Sequence, residues 1–303
     1  VPQQPHKQNQ VLFMIAKYGV MSSRTVWELL DKKISYGAVR KLLNKLEERG
    51  LIVRPTELFG GQPVHYWMLS REKKSIAETV RLTGLPESQI VQSKMRYTHF
   101  AHEDLCTLFQ LSMERGDPRI KVLRNKRGLN PELPAHLMMK RIVDQGYCPD
   151  LCLGIPQYSD TDWSKPSRYV WIAVEIDRSY RTATRLARRM NVYTKHTLFS
   201  GVLYFMPSSG TAKDLQNLYA RRGGKDSLRL LGTKTAFLAS AQLEKSRFSH
   251  WNLKVFVGGH EISLKDWLLI FSAVPRERRD KFLEEMLNKG VPYPSAPAER
   301  QVS

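Results

Sequence analysis

Six consecutive apolar residues, Tyr169-Val170-Trp171-Ile172-Ala173-Val174, leave no polar face on the segment that carries them. A strand with one face in water alternates apolar and polar side chains, whereas a strand covered on both faces reads as an unbroken apolar run. This run therefore belongs inside a sheet, and the surrounding chain offers what would cover it. From residue 94 the pattern alternates between helical and extended periods: helix over 94–115, strands over 119–124, 148–155 and 168–177, helix over 181–196, strand over 201–206, helix over 211–222, strand over 235–239. A short strand over 255–257 and amphipathic helices over 263–272 and 276–288 close the series. That order predicts an α/β domain over residues 94–290, with helices on the faces of a mixed sheet. The Pro-, Ala- and Ser-rich residues 291–303 are expected to form a disordered tail.

The N-terminal 70 residues follow a different plan. Val11, Leu12, Ile15 and Ala16 make an apolar helical stripe that ends at Gly19. Ser22 or Ser23 can cap a second helix carrying Val26, Leu29 and Leu30, and Ser35 can cap a third. In that third helix Val39, Leu42, Leu43 and Leu46 recur at helical spacing until Gly50. Residues 51–54 and 64–69 then read as two short strands around a turn containing Gly60-Gly61-Gln62-Pro63, a β-hairpin. The polar face of the third helix carries Tyr36, Arg40, Lys41, Asn44 and Lys45. Three helices and a hairpin in this order resemble the winged helix-turn-helix family, which implies a recognition helix for the major groove of DNA. Winged helices also dock proteins, and both uses are open at this point. Residues 71–93 are polar, hold one short helix closed by Gly84-Leu85-Pro86, and read as a linker.

Charge narrows the partners. The 303 residues carry 48 Lys and Arg against 29 Asp and Glu, a formal net charge of +19, which favours double- or single-stranded nucleic acid. Membrane insertion is not expected, because the longest apolar runs are six residues and a helical span needs about 20. Three cysteines build no disulfide framework, and Cys148-x-x-x-Cys152 lacks a second pair for zinc; a polar, Gln-rich start shows no signal peptide. A cytoplasmic protein is the expectation. Two basic segments offer a phosphate track: Arg181, Arg185, Arg188, Arg189 and Lys195 on one helix, and Arg119, Lys121, Arg124, Lys126, Arg127, Lys140 and Arg141 in the other. Arg221-Arg222-Gly-Gly-Lys225 does not match a P-loop, so nucleotide hydrolysis is not expected.

The buried run ends in Glu175-Ile176-Asp177, two acids at i and i+2 on one side of a strand. The preceding strand begins at Pro149-Asp150. Paired as neighbours, the two strands would set Asp150 beside Glu175, and two converging carboxylates suit Mg2+ or Mn2+. The same acids can instead cap the next helix or pair with Arg178 and Arg181.

Helix, strand, Pro-Asp strand, acidic strand, helix and strand resemble the PD-(D/E)xK restriction-endonuclease core over residues 94–240. Asp177 stands where that motif has its lysine. The string Glu175-Ile176-Asp177-Arg178, with Arg189 and Tyr193 in the following helix, resembles more particularly the replication-relaxation family, which includes the MobC-type relaxases of mobilizable plasmids. The resemblance implies a winged helix followed by a restriction-endonuclease-like α/β/α domain that nicks DNA at a plasmid transfer origin. Its implied partners are a relaxosome accessory protein and the coupling protein of a secretion system. Asp150 and Glu175 would bind the metal with Glu103 as third ligand, and His99 would contact substrate or water. Arg189 would replace the lysine, and the nucleophile would be water, Tyr193 or Tyr180. A non-enzymatic replication or partition regulator, or a transposon- or phage-encoded double-strand endonuclease, would carry many of the same features.

Overall fold

The computed structural model of the chain describes residues 7–59, 62–91, 100–117, 119–124, 149–157, 168–177, 199–206, 235–239, 253–257 and 260–273. These fall into two compact units, one within Val1–Leu111 and Arg124–Gln145, the other within Ser112–Leu123 and Gly146–Ser303. Helices and sheets mix in both, so the chain is α/β. Among the described residues no helix is long and apolar enough to cross a membrane.

The first unit opens with α1 (Lys7–Tyr18), β1 (Met21–Ser22), α2 (Ser23–Leu29) and α3 (Tyr36–Glu48). Ser22 caps α2, its Oγ accepting the Thr25 N–H, and Ser35 does the same for α3 through the Ala38 N–H. Gly50, at φ +70°, ends α3: its N–H donates to the Glu47 carbonyl and the Leu51 N–H to the Leu46 carbonyl. That pair of bonds satisfies carbonyls the helix end would otherwise leave open, and the left-handed residue between them suits glycine. Val11, Leu12, Ile15, Val26, Val39, Leu43 and Leu46 are all buried as the centre of the unit.

A single long strand organises the sheet that follows. β4 (Gln62–Leu69) pairs antiparallel with β2 (Ile52–Val53) and β3 (Thr56–Phe59) along one edge and with β1 along the other. The hairpin thus reaches further than the pattern over 51–54 predicts. Pro55 has no N–H and splits the edge into two strands, while its carbonyl still accepts the Tyr66 N–H. The residues read as a linker contain α4 (Lys73–Thr83), which lies against α1 and buries Ile76 and Thr79; Leu85 and Ile90 are buried beyond it.

α5 (Phe100–Gly116) begins in this unit, with Phe100 stacked on Tyr66 in a cluster with Val20, Met68 and Ala101. One turn on, Asp104 accepts the Ser22 N–H at 2.8 Å, and the Thr107 hydroxyl lies within hydrogen-bond reach of the Tyr18 and Val20 carbonyls. Arg124 completes the arrangement. Its guanidinium donates to the Tyr18 carbonyl, to Thr107 Oγ1 and to the Glu103 carbonyl, and pairs with Glu103 Oε2 at 3.0 Å.

The second unit is built on a seven-stranded sheet. Its strands are β5 (Lys121–Arg124), β6 (Leu151–Gln157), β7 (Arg168–Ile176), β8 (Gly201–Met206), β9 (Thr235–Ala239), β10 (Lys254–Val257) and β11 (His260–Ser263), in the spatial order β11-β10-β9-β8-β7-β6-β5. β6 and β7 run antiparallel, β7, β8 and β9 parallel, and β9, β10 and β11 antiparallel. The apolar run lies in the middle of this sheet, with Ile172, Ala173 and Val174 wholly buried. α6 (Leu264–Ala273) starts at a Ser263 cap and covers β6, Gln157 donating to the Phe271 carbonyl. Of the expected elements, β11 alone in this sheet has no counterpart in the pattern; His-Glu-Ile-Ser is a short polar edge with no apolar run to mark it. The helices expected over 181–196, 211–222 and 276–288, and the tail, lie outside the described residues.

Removing one partner of a buried ion pair leaves a desolvated charge. Arg124→Ala should therefore lower the unfolding free energy by roughly 3 kcal/mol in urea denaturation. Glu103→Gln keeps an acceptor but leaves the buried guanidinium without its counter-charge, and should cost a comparable amount, roughly 3 kcal/mol.

Candidate functional site

The first candidate surface is the outer face of α3. Val39, Leu43 and Leu46 point inward, which turns Tyr36, Arg40, Lys41, Asn44 and Lys45 to solvent. Tyr36 is 43% exposed, unusual for a large ring, and is held edge-on against Trp27 with centroids 5.8 Å apart. Trp27 is fixed in turn by an indole hydrogen bond to the Ile34 carbonyl. Elsewhere on the unit several exposed cations are paired with acids, Arg49 and Arg81 with Glu78, Arg54 with Glu47 and Lys32 with Glu28, while Arg24 and Lys73 are exposed with no such pair among the described residues. Glu78 is held below the usual carboxylate range, chiefly by the hydrogen bonds from Arg81. No ion pair or hydrogen bond to the side chains of Arg40, Lys41 or Lys45 occurs among the described residues. Three uncompensated cations and an exposed tyrosine thus share one helical face, a concentration of positive charge at the surface.

The acids of the second unit lie at the ends of β6 and β7. The ladder pairs Leu151 with Val174, so one step further sets Asp150 level with Glu175. Asp150 Oδ2 accepts the Ile176 N–H at 2.8 Å, which ties its carboxylate to β7. Glu175 is paired across the parallel ladder with Tyr204, and the Tyr204 hydroxyl donates to Asp177 Oδ2 at 3.3 Å. Glu175 and Asp177 are 1% and 5% exposed, so both carboxylates are withdrawn from bulk water. Tyr204 is a site residue that sequence reasoning missed; its place in the apolar stretch Gly201–Met206 gave it the look of core.

Two acids with hard oxygen donors and no sulfur or nitrogen among them are the donor set expected of a Mg2+ or Mn2+ ion that keeps most of its waters. Among the described residues no group of three His, Cys, Asp or Glu side chains could hold a metal. Glu103 belongs to the other unit, where its carboxylate is engaged with Arg124. Arg124, read from sequence as part of a phosphate track, is buried at 8% exposure and makes internal bonds only. Arg119 of the same cluster is paired with Asp117 at 2.8 Å. His99, Arg181, Arg185, Arg188, Arg189 and Tyr193 lie outside the described residues.

Comparison with family models, curated proteins and solved structures gives no match to this chain.

Because Asp150 also serves as an acceptor for the backbone, its substitutions separate charge from structure. Asp150→Ala should cost about 1–3 kcal/mol through the unsatisfied Ile176 N–H, whereas Asp150→Asn keeps an oxygen there and should stay within about 1 kcal/mol by thermal denaturation.

Proposed function

We propose that this chain is a cytoplasmic DNA-processing protein. Its first unit is a winged helix-turn-helix that binds duplex DNA. Its second is a restriction-endonuclease-like domain that nicks one strand with Mg2+ or Mn2+. The observation that carries the reading is the face of α3, where Arg40, Lys41 and Lys45 stand exposed and unpaired beside Tyr36. The order α1-β1-α2-α3 followed by a hairpin whose long strand also pairs with β1 supports the winged-helix assignment. In this reading α3 enters the major groove and the β3–β4 hairpin is the wing.

Support for the nuclease-like assignment comes from topology. α5 is followed by the adjacent strands β5, β6 and β7, and then by β8 parallel to β7. Parallel neighbours need a crossover connection, for which residues 178–198 are available. Asp150 and Glu175 are the residues that would hold the metal, with Asp177 beside them, anchored by Tyr204. A divalent ion there would supply charge stabilisation for a scissile phosphate and an activated attacking group. Arg189 is proposed to take the electrostatic part of the missing lysine. A guanidinium offers two parallel donors to a phosphate but stays charged at physiological pH, so it cannot accept a proton. The resemblance to MobC-type relaxases extends the proposal to a plasmid transfer origin, with a relaxosome accessory protein and a coupling protein as partners.

The anchoring of Asp150 on the Ile176 N–H favours one second reading. The acids would then hold strand ends together in a non-enzymatic DNA-binding regulator.

A plasmid assay separates the two. With Mg2+ or Mn2+ and its own site, the chain should convert supercoiled DNA to open circles, EDTA should stop it, and Asp150→Asn and Glu175→Gln should abolish it. Full cleavage by either variant would sink the metal assignment. Arg189→Ala should slow nicking by about 10²–10³-fold. In duplex binding, Arg40→Ala should cost about 1–3 kcal/mol if it reads a base, or lower the salt slope by about one if it meets a phosphate.

A further inference from the structure

The second unit carries a group of side chains that the function proposed above does not use. Tyr169 and Trp171 are two residues apart on β7 and so project from the same face of the sheet, the face that also carries Glu175 and Asp177. Their rings lie 6.1 Å apart between centroids at an interplanar angle of 37°. Neither ring is buried, although they belong to an unbroken apolar run; both remain partly exposed, and Arg168 before them is exposed. Trp171 lies over Gly154 of β6, its register partner. A Cβ at that glycine would stand 2.9 Å from the indole, so the absence of a side chain is what gives the ring its room there. The exposed Lys121 of β5 places its ammonium 4.1 Å from the Tyr169 ring centroid.

We propose that Tyr169, Trp171 and Lys121 form a stacking platform for the unpaired bases of single-stranded DNA. Two flat rings presented on a rigid sheet are what base stacking needs, and stacking tolerates any base because every base has a π face. Lys121, its ammonium over the Tyr169 ring, and the exposed Arg168 supply cations for phosphates of the same strand. Charge complementarity picks out nucleic acid over an apolar peptide: the chain carries a net charge of +19, and no acidic side chain of β5 or β7 accompanies the rings before Glu175. The inference rests on the DNA-processing reading and adds to it the single-stranded part of the substrate.

The test is fluorescence anisotropy of the full chain with labelled oligothymidylate and, separately, with a labelled duplex. Wild type should bind the oligothymidylate in a salt-sensitive way. Tyr169→Ala and Trp171→Ala should each weaken that binding about tenfold, Lys121→Gln a few-fold, and Trp171→Phe should retain most of it. Duplex binding should be unchanged in all four. Tyr169 and Lys121 are peripheral enough to replace without loss of the fold, which circular dichroism would verify. If the Tyr169 and Lys121 variants bind oligothymidylate as wild type does, or if wild type binds duplex but no single strand, the platform is wrong while the winged-helix reading stands. Single-strand binding lost in these variants but no duplex binding by wild type would leave the platform in place and remove the winged helix. Binding of neither nucleic acid overturns both.

Discussion

A buried guanidinium organises the first unit. Arg124 reaches the unit from far along the chain and finds there the end of α1, the side chain of Thr107 and both the carbonyl and carboxylate of Glu103. Withdrawing such a charge from water is tolerable only when its donors are matched, and a change at one partner leaves the others stranded. Thr107 reaches the Tyr18 and Val20 carbonyls, and Asp104 receives the Ser22 N–H. The backbone from Tyr18 to Ser22 is therefore held at the Tyr18 and Val20 carbonyls and the Ser22 N–H before α2 begins. Since Ser22 is both a β1 residue and the cap of α2, that fixation carries into the placement of α2 and, through their shared core, of α3.

How much of this was legible in the sequence depends on the range of the interaction. Ser35, Gly50 and the stripe Val39, Leu43, Leu46 announce α3 and its exposed basic face because helix caps and amphipathicity are local properties. The run ending at Val174 likewise announced a central strand, but burial holds only from Ile172 on, and Tyr169, Val170 and Trp171 stay partly exposed. β1 was invisible because two residues carry no period, and β3 because Pro55 hid the continuation of the edge. The acids were read as neighbours on condition that their strands pair, and β6 and β7 do pair. What no local pattern could signal was the fate of Glu103 and Arg124. One looked like a solvent-facing ligand and the other like a phosphate contact, and only the tertiary fold joins them into an internal pair.

The two candidate surfaces differ in the way they hold charge. On α3 the cations are exposed and the cost of keeping them apart falls on solvent, so they are available to a polyanion and sensitive to salt. At the ends of β6 and β7 the acids are withdrawn from water, and each of Asp150 and Asp177 is held by a hydrogen bond that fixes its orientation. The first arrangement suits reversible capture of a long ligand. The second suits a site whose geometry must not wander.

Pro55 has a consequence for motion. The β2–β4 ladder ends at Val53 and Met68 and the β3–β4 ladder starts at Thr56 and His65, and between them the edge is joined by a single bond, from the Tyr66 N–H to the Pro55 carbonyl, because Pro55 has no N–H to return. The inner half is anchored by the buried Ile52, Trp67 and Leu69, while Thr56 and His65 at the start of the outer half are exposed. Opening of the outer ladder therefore need not disturb the inner one. In hydrogen exchange, the amides of the outer ladder belong with the fast, sub-global openings, and those of β2 and the inner end of β4 with the global unfolding of the unit.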